Sequence, residues 1–114
     1  MSLEMKKIDQ ETQEKIQQLQ IFEQSLQNLL LQKQAFQIEL SETENALKEV
    51  EKTKDDIYKL IGQVMIKASK QETEKEFKQK KDILNLRVKS IDKQETQIRG
   101  ELEKLREEVM KKIK

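Results

Sequence analysis

Apolar residues recur every seven positions along both halves of this 114-residue chain. With Leu19 set at heptad position a, the apolar a and d residues of the first half are Met5, Ile8, Leu19, Phe22, Leu26, Leu29, Phe36, Leu40, Leu47 and Val50, interrupted by Thr12, Lys15, Lys33 and Thr43. The second repeat holds Phe77, Leu84, Val88, Ile91, Ile98, Leu102, Leu105 and Val109, interrupted by Glu74, Lys81, Glu95 and Lys112. A repeat sustained over this length predicts a coiled coil.

The composition supports long helices rather than a thick globular core. Only 34% of the residues are hydrophobic and 39% are charged, while proline is absent and basic and acidic residues nearly cancel at 23 and 22. A disordered chain would combine low hydrophobicity with a high net charge. We therefore expect a mainly α protein with a single domain over residues 1–114, in which helix one covers residues 5–52 and helix two covers residues 71–113.

The pattern changes between the two repeats. Residues 57–68 are rich in β-branched and aromatic side chains that alternate around Gly62 and Gln63. This alternation predicts one β-hairpin with a tight turn, in which Gly62 supplies a positive φ. Tyr58, Leu60, Val64 and Ile66 are expected on one face of the hairpin. Ser69, followed by Glu72 three residues later, predicts the start of helix two.

A short linker between two helices of similar length predicts an antiparallel pair. In such a coil, a positions of one helix face d positions of the other. Pairing Leu47 with Phe77, Leu40 with Leu84 and Phe36 with Val88 continues along both repeats, and the centre of this pairing is Gly62. The turn and the register thus agree although they are derived from separate parts of the sequence.

Several kinds of chemistry are disfavoured by the residues present. The chain has no His and no Cys, and its two glycines are isolated, so zinc sites, nucleophile–base pairs and phosphate loops are not expected. We expect no enzyme activity, no cofactor and no metal. A net charge of +1 argues against nucleic-acid or membrane-surface binding. With no long apolar run and no signal-like N-terminus, a cytoplasmic protein is predicted.

The hairpin carries apolar residues on both faces and has two open strand edges. A lone hairpin is only marginally stable in water, and open edges pair readily with other chains. We therefore predict an oligomerisation surface, whose members are Ile57, Tyr58, Leu60, Ile61, Gly62, Val64, Met65 and Ile66. The alternative is a hairpin folded back on its own helices.

A second apolar set lies at the far ends of the helices. In the predicted register Met5 and Ile8 have no facing partner, while Met110 and Ile113 lie off the seam and Ile16 flanks it. Exposed apolar patches often mark binding sites, and methionine adapts to varied surfaces. These five residues are predicted to form a binding site; incidental hydrophobic residues at the chain ends are the alternative. Leu30, Leu31, Ile38, Ile83 and Leu86 also lie off the seam and are interpreted as ordinary surface residues.

The segment from Tyr58 to Lys67 (Tyr-Lys-Leu-Ile-Gly-Gln-Val-Met-Ile-Lys) resembles the hairpin of β-type prefoldin subunits. The Gln-rich first helix and the pairs Leu86-Arg87 and Gln94-Glu95 are similar to the same family. The resemblance implies a hexamer of two α-type and four β-type subunits, whose hairpins form a β-barrel body. It also implies an ATP-independent chaperone that captures unfolded polypeptides at its coiled-coil tips and passes them to a group II chaperonin.

Two functions follow from these features. One is a holdase subunit, which binds unfolded chains weakly at several tips at once. The other is a coiled-coil scaffold or tether that joins a complex through its hairpin without holding unfolded protein. A nucleic-acid-associated helical protein is a third possibility that the charge balance disfavours.

Overall fold

The computed structural model describes residues 9–113 of the chain. In chain order the elements are helix α1 (Gln10–Lys52), strand β1 (Ile57–Ile61), strand β2 (Val64–Ala68) and helix α2 (Lys70–Ile113). The prediction of two long helices with a single antiparallel hairpin between them is confirmed. Helix two begins at Lys70, one residue before the predicted start. Helix one begins at Gln10, so the prediction was wrong for Asp9, which caps the helix from outside; the predicted helical residues 5–8 lie outside the described residues.

Short polar side chains cap the start of both helices. The Thr12 backbone N–H donates a hydrogen bond of 2.8 Å to Oδ1 of Asp9, the residue before α1. The Glu72 backbone N–H donates a 3.3 Å bond to Oγ of Ser69, the residue before α2. Each bond satisfies a donor that the first turn of a helix leaves without an intrahelical partner. The predicted role of Ser69 as an N-cap is confirmed.

The helices pack antiparallel within each of two compact units. The first unit consists of the described residues of Met1–Gln32 and Ser90–Lys114. Its interhelical ion pairs include Asp9–Lys112 at 3.8 Å, Lys15–Glu108 at 3.2 Å and Glu23–Arg106 at 3.6 Å. The α2 partner moves back along the sequence as the α1 residue advances, which is the order that an antiparallel pair requires.

The second unit is Lys33–Lys89 and contains the hairpin with the flanking helical segments. Here Lys80 Nζ lies 3.3 Å from Glu39 Oε1, and the Arg87 guanidinium carbon lies 5.5 Å from the centroid of the Phe36 ring. The predicted register pairs Phe36 with Val88, the neighbour of Arg87. The cation over the ring therefore agrees with that register to within one residue.

The heptad seam is the core of both units. Buried apolar members include Leu29, Leu47, Leu84, Ile91, Leu102, Leu105 and Val109. In the described part of the chain, every predicted a and d position except Lys112 is buried or half-buried. The polar interruptions Thr12 and Thr43 are buried as well. Thr43 Oγ1 donates a 2.8 Å hydrogen bond to the carbonyl of Glu39, so its hydroxyl is satisfied within its own helix.

The hairpin closes through a two-residue loop. The strands pair Ile57 with Ala68 and, at the loop, Ile61 with Val64. Gly62 has a φ of 62°, as predicted, and Gln63 does not share the positive φ. A positive φ at the first central residue alone fits a type II′ turn, which matches the twist of paired strands.

Candidate interaction surfaces

The hairpin leaves its apolar side chains uncovered by the rest of the chain. Tyr58, Leu60, Ile61, Val64, Met65 and Ile66 are between 48% and 69% exposed. Ile57, Lys59 and Ala68 are half-buried. The alternative of a hairpin folded back on its own helices would have buried one full face of the sheet. The exposed surface instead holds six large apolar residues within two strands of five residues each.

The prediction that Tyr58, Leu60, Val64 and Ile66 share one face is wrong. The register pairs Leu60 with Met65 and Lys59 with Ile66, and directly paired residues lie on the same face. Tyr58, Leu60, Met65 and Lys67 therefore form one face, whereas Ile57, Lys59, Ile61, Val64, Ile66 and Ala68 form the other. The physical reason is the loop length, because a two-residue loop joins odd positions of β1 to even positions of β2.

Both strands offer free backbone groups at an open edge. The pair that closes a two-residue loop, Ile61 and Val64, exchanges hydrogen bonds, and hydrogen-bonded and non-hydrogen-bonded pairs then alternate along the ladder. The outward-pointing groups on β1 consequently belong to Tyr58 and Leu60, and those on β2 to Met65 and Lys67. Each edge can therefore accept a further strand, and the side chains beside these free groups all lie on the Tyr58 face.

The other face of the hairpin is tied to the helices. Lys59 Nζ lies 2.6 Å from Glu76 Oε2 on α2. At the base of the hairpin, Lys70 Nζ donates hydrogen bonds of 3.2 Å and 2.9 Å to the carbonyls of Glu51 and Thr53. A cation is favourable at these carbonyls because they form the negative end of α1. The base of the Lys59 face, formed by Ile57, Lys59 and Ala68, is therefore half-buried on the side of the helices, whereas the rest of that face and the whole Tyr58 face stay exposed.

A second exposed apolar group lies on the last turns of α2. Met110 and Ile113 are 51% and 54% exposed, and their spacing of three residues puts them on one side of the helix. Ile16 is half-buried and follows Lys15, which contacts Glu108, so it lies at the level of the same turns. We call Ile16, Met110 and Ile113 the tip cluster. The predicted members Met5 and Ile8 lie outside the described residues, and the binding role of all five remains a prediction.

Ion pairs hold the helices together beside the tip cluster. Lys15 Nζ lies 3.2 Å from Glu108 Oε2 and 3.5 Å from Glu11 Oε1. The hydrogen bond to Glu108, together with the charge of Glu11, raises the pKa of Lys15. Hydrogen bonds from Thr12, with the charges of Lys112 and Lys15, lower the pKa of Asp9. Both groups are therefore held in their charged forms at neutral pH.

Sequence reasoning found both surfaces but missed what anchors them. The contacts of Lys59 with Glu76 and of Lys70 with the end of α1 were not predicted. A lysine among 23 basic residues carries no distinguishing pattern, so the signal for these contacts is geometric rather than sequential. Within residues 9–113, no group of acidic, histidine or cysteine side chains is arranged to hold a metal ion. The described helices also lack a run long and apolar enough to cross a membrane.

These features define an α-helical coiled-coil protein with an exposed β-hairpin between its two helices. A profile of the family described as "Prefoldin subunit" matches residues 10–114. Prefoldin subunit beta of Pyrobaculum islandicum is 41% identical over 90 residues, which cover 77% of this chain and 72% of that protein. Prefoldin subunit beta of Pyrococcus furiosus is 34% identical over 107 residues and 92% of each chain.

A solved structure shares the fold. The crystal structure of the prefoldin beta subunit from Thermococcus strain KS-1 matches 94% of this chain and 96% of its own, with a TM-score of 0.86 and 29% sequence identity. The chain therefore belongs to the prefoldin family, and the relatives that it matches are β subunits.

Proposed function

We propose that this chain is the β-type subunit of an ATP-independent holdase, which captures unfolded polypeptides at its tip cluster. The observation that carries the proposal is the exposure of Met110 and Ile113 on the last turns of α2, where the exposed neighbours Glu107, Lys111 and Lys112 are charged. An unfolded chain exposes apolar side chains without fixed geometry. Flexible, weakly specific apolar contacts suit such a ligand better than a shaped pocket does.

The hairpin would supply the assembly that makes weak capture effective. Its two open edges and its exposed Tyr58 face allow strand addition from neighbouring subunits. We propose a hexamer with two α-type and four β-type subunits, joined through a β-barrel body, which delivers its clients to a group II chaperonin. This proposal rests on the likeness to prefoldin β subunits and on the free edges together.

Attachment of several tips to one body changes the affinity of capture. Burial of about 100 Å² of apolar surface at one tip contributes roughly 2.5 kcal/mol, which is weak binding for a single site. Once one tip is bound, the contact of a second tip becomes effectively intramolecular, and the overall affinity rises without any stronger individual contact. Reversible capture of many different sequences follows.

Suppression of client aggregation tests the proposal directly. The chain is assembled with an α-type prefoldin subunit, and light scattering by a chemically unfolded client is followed without ATP. The variant Met110→Ser with Ile113→Ser should assemble normally and lose most of its protection. The matched control, Glu107→Ser with Lys111→Ser, alters exposed residues on the same turns and should protect like the wild type. Equal protection by both variants would remove the tip cluster from the mechanism.

A further inference from the structure

One exposed face of α1 is almost free of charge. Heptad positions b, c and f point away from the seam, and between residues 17 and 32 they hold glutamine, asparagine and aliphatic residues. We call the following six residues the amide face: Gln17, Gln20, Ile21, Gln24, Gln27 and Leu31. Among the exposed residues of this segment the only charged one is Glu23, and its carboxylate is paired with Arg106 at 3.6 Å.

The facing segment of α2 in the same unit has the opposite character. Its exposed positions between residues 90 and 113 are mostly charged and include Asp92, Lys93, Arg99 and Glu103. A coiled coil that needed only to stay hydrated would carry charges on both helices. Depletion of charge is a compositional property of surfaces that bind other molecules. The difference between the helices therefore marks one side of this unit as a binding surface.

The side chains of the amide face match the chemistry of an unfolded polypeptide backbone. A glutamine amide both donates and accepts hydrogen bonds, as the peptide group does. Gln24 Nε2 donates a long 3.4 Å bond to Asn28 Oδ1, while the side-chain amides of Gln17, Gln20 and Gln27 make no hydrogen bond within the described chain. Ile21 and Leu31, which are 63% and 66% exposed, add apolar contacts beside these amides.

The spacing of the two aliphatic residues suits an extended guest. Leu31 lies ten residues after Ile21, which corresponds to about 15 Å along the helix axis. An extended chain covers that distance with about four or five residues, and residues i and i+4 of a strand project to the same side. A second helix packed here would need apolar residues repeated every three or four positions, and the amide face does not have them.

We propose that the amide face binds an extended, low-charge segment of a non-native polypeptide, with aliphatic guest side chains against Ile21 and Leu31 and guest backbone groups against the glutamines. The inference rests on the proposed holdase function and extends its contact surface from the tip cluster along α1. A neighbouring copy of the chain is the competing occupant, and the experiment distinguishes the two.

Site-specific photo-crosslinking tests the proposal in the assembled complex. The crosslinking residue p-benzoylphenylalanine is placed singly at positions 24, 97 and 110, which are all exposed and represent the amide face, the charged face of α2 and the tip cluster. The probe is reduced, carboxamidomethylated α-lactalbumin, a permanently unfolded protein. Crosslinks to the probe from positions 24 and 110, but not from position 97, are expected.

Three other crosslinking results would each lead to a different conclusion. Crosslinks from position 110 alone would overturn the amide face and leave the proposed holdase function standing. Crosslinks from position 24 to another subunit would overturn it in favour of a contact between copies. Absence of any crosslink to the probe from all three positions would contradict the holdase function itself.

A pair of matched variants gives a second, quantitative readout. Gln24→Glu with Gln27→Lys introduces one charge of each sign into the amide face without changing the net charge. Gln94→Glu with Gln97→Lys makes the same exchange at the same spacing on α2, where Gln94 has a comparable 3.4 Å bond to Ser90. The first variant should raise the Kd for the unfolded probe about fivefold, as expected for losing one hydrogen bond of about 1 kcal/mol, and the second should leave it unchanged. Equal Kd values for both variants would overturn the proposal.

Discussion

Lys59 and Glu76 join the hairpin to the second helix: Nζ of the lysine lies 2.6 Å from Oε2 of the glutamate. Because Lys59 shares a face with Ile57 and Ala68, this contact directs that face toward the helices. The Tyr58 face is left free together with the backbone groups of both edges. The ion pair thus holds the base of the hairpin against α2, while apolar residues nearer the turn stay exposed on both faces.

Neutralisation of Lys59 should weaken assembly with an α-type subunit. An exposed ion pair contributes at most about 1 kcal/mol, so Lys59→Gln should lower the association constant by up to about fivefold. Lys75→Gln is the matched control, because Lys75 is an exposed lysine beside Glu76 on α2 and lies outside the hairpin. Titration calorimetry against the α-type subunit measures both. An equal loss in the control would show that the orientation set by Glu76 is unimportant.

Substitution of Gly62 should damage the hairpin through the backbone alone. Its φ of 62° is unfavourable for residues with a side chain, whereas a Cβ built there meets nothing within 4 Å. Gly62→Ala should cost about 1–2 kcal/mol in the hairpin conformation. Gly62→Asn should cost a similar amount, because the first central position of a type II′ turn is taken by glycine and differs from the left-handed α conformation that asparagine tolerates. Assembly affinity is the readout, and an unchanged affinity for either variant would contradict the assigned turn.

The same change at Gly100 should have the opposite sign. Gly100 lies inside α2 on the outer face, and a Cβ added there also meets nothing within 4 Å. Alanine in a helix interior is favoured over glycine by about 0.8–1 kcal/mol. Gly100→Ala should therefore raise the free energy of unfolding by about that amount in urea denaturation followed by circular dichroism. A destabilised variant would contradict the open space around Gly100, because it would mean that the added methyl group meets a neighbour.

Truncation of a seam leucine should be far more costly than truncation of an exposed one. Leu84 is 2% exposed and Leu86, two residues later, is 65% exposed. Leu84→Ala should lower the free energy of unfolding by about 2–5 kcal/mol, because a buried side chain leaves a cavity. Leu86→Ala should change it by less than about 0.5 kcal/mol. If urea denaturation showed similar losses of unfolding free energy for both variants, the assignment of Leu84 to the buried seam would be wrong.

The stability of the unit that carries the tip cluster should fall in acid. The folded state lowers the pKa of Asp9, so its carboxylate stabilises the fold fully above its ordinary value of about 3.9 and less as the pH falls through the lowered one. Asp9→Asn keeps a capping oxygen and removes the charge. Its urea midpoint should therefore depend less on pH between about pH 6 and pH 2 than the wild-type midpoint does.

The stability of the same unit should also fall at alkaline pH. Lys15 has a raised pKa, so its contribution is complete below about 10.4 and is lost as the pH rises through the raised value. Lys15→Gln should make the urea midpoint less dependent on pH in this alkaline range. The loss of stability in acid should largely remain, because the hydrogen bonds from Thr12 are the main cause of the lowered pKa of Asp9. If the urea midpoints of the variant and the wild type fell equally at alkaline pH, the contact of Lys15 with Glu108 would not form in solution.

The heptad seam could be predicted almost residue by residue. Apolar periodicity reports burial directly, and even polar interruptions such as Thr12 and Thr43 lie in the core where the repeat places them. These threonines are tolerated because their hydroxyl groups find local partners, as Thr43 does in the carbonyl of Glu39. A heptad repeat predicts which positions face inward. Whether a polar side chain at such a position finds a hydrogen-bond partner depends on the geometry of the backbone.

The faces of the hairpin could not be read from alternation alone. Alternation within each strand was clear, but the relation between the strands depends on the number of loop residues and on the pairing of Ile61 with Val64. Gly62 indicated where the chain turns without indicating the register. The anchoring by Lys59 and Lys70 depends in turn on that register, so it was beyond sequence reasoning as well.

Discrimination between unfolded and native protein is the most direct test of the account. The chain, assembled with an α-type subunit, is immobilised and offered one client either chemically unfolded or native, with and without ATP. We expect capture of the unfolded form only, to the same extent with and without ATP. Equal capture of the native form, or no capture of either, would contradict a holdase and favour a coiled-coil tether that assembles through its hairpin.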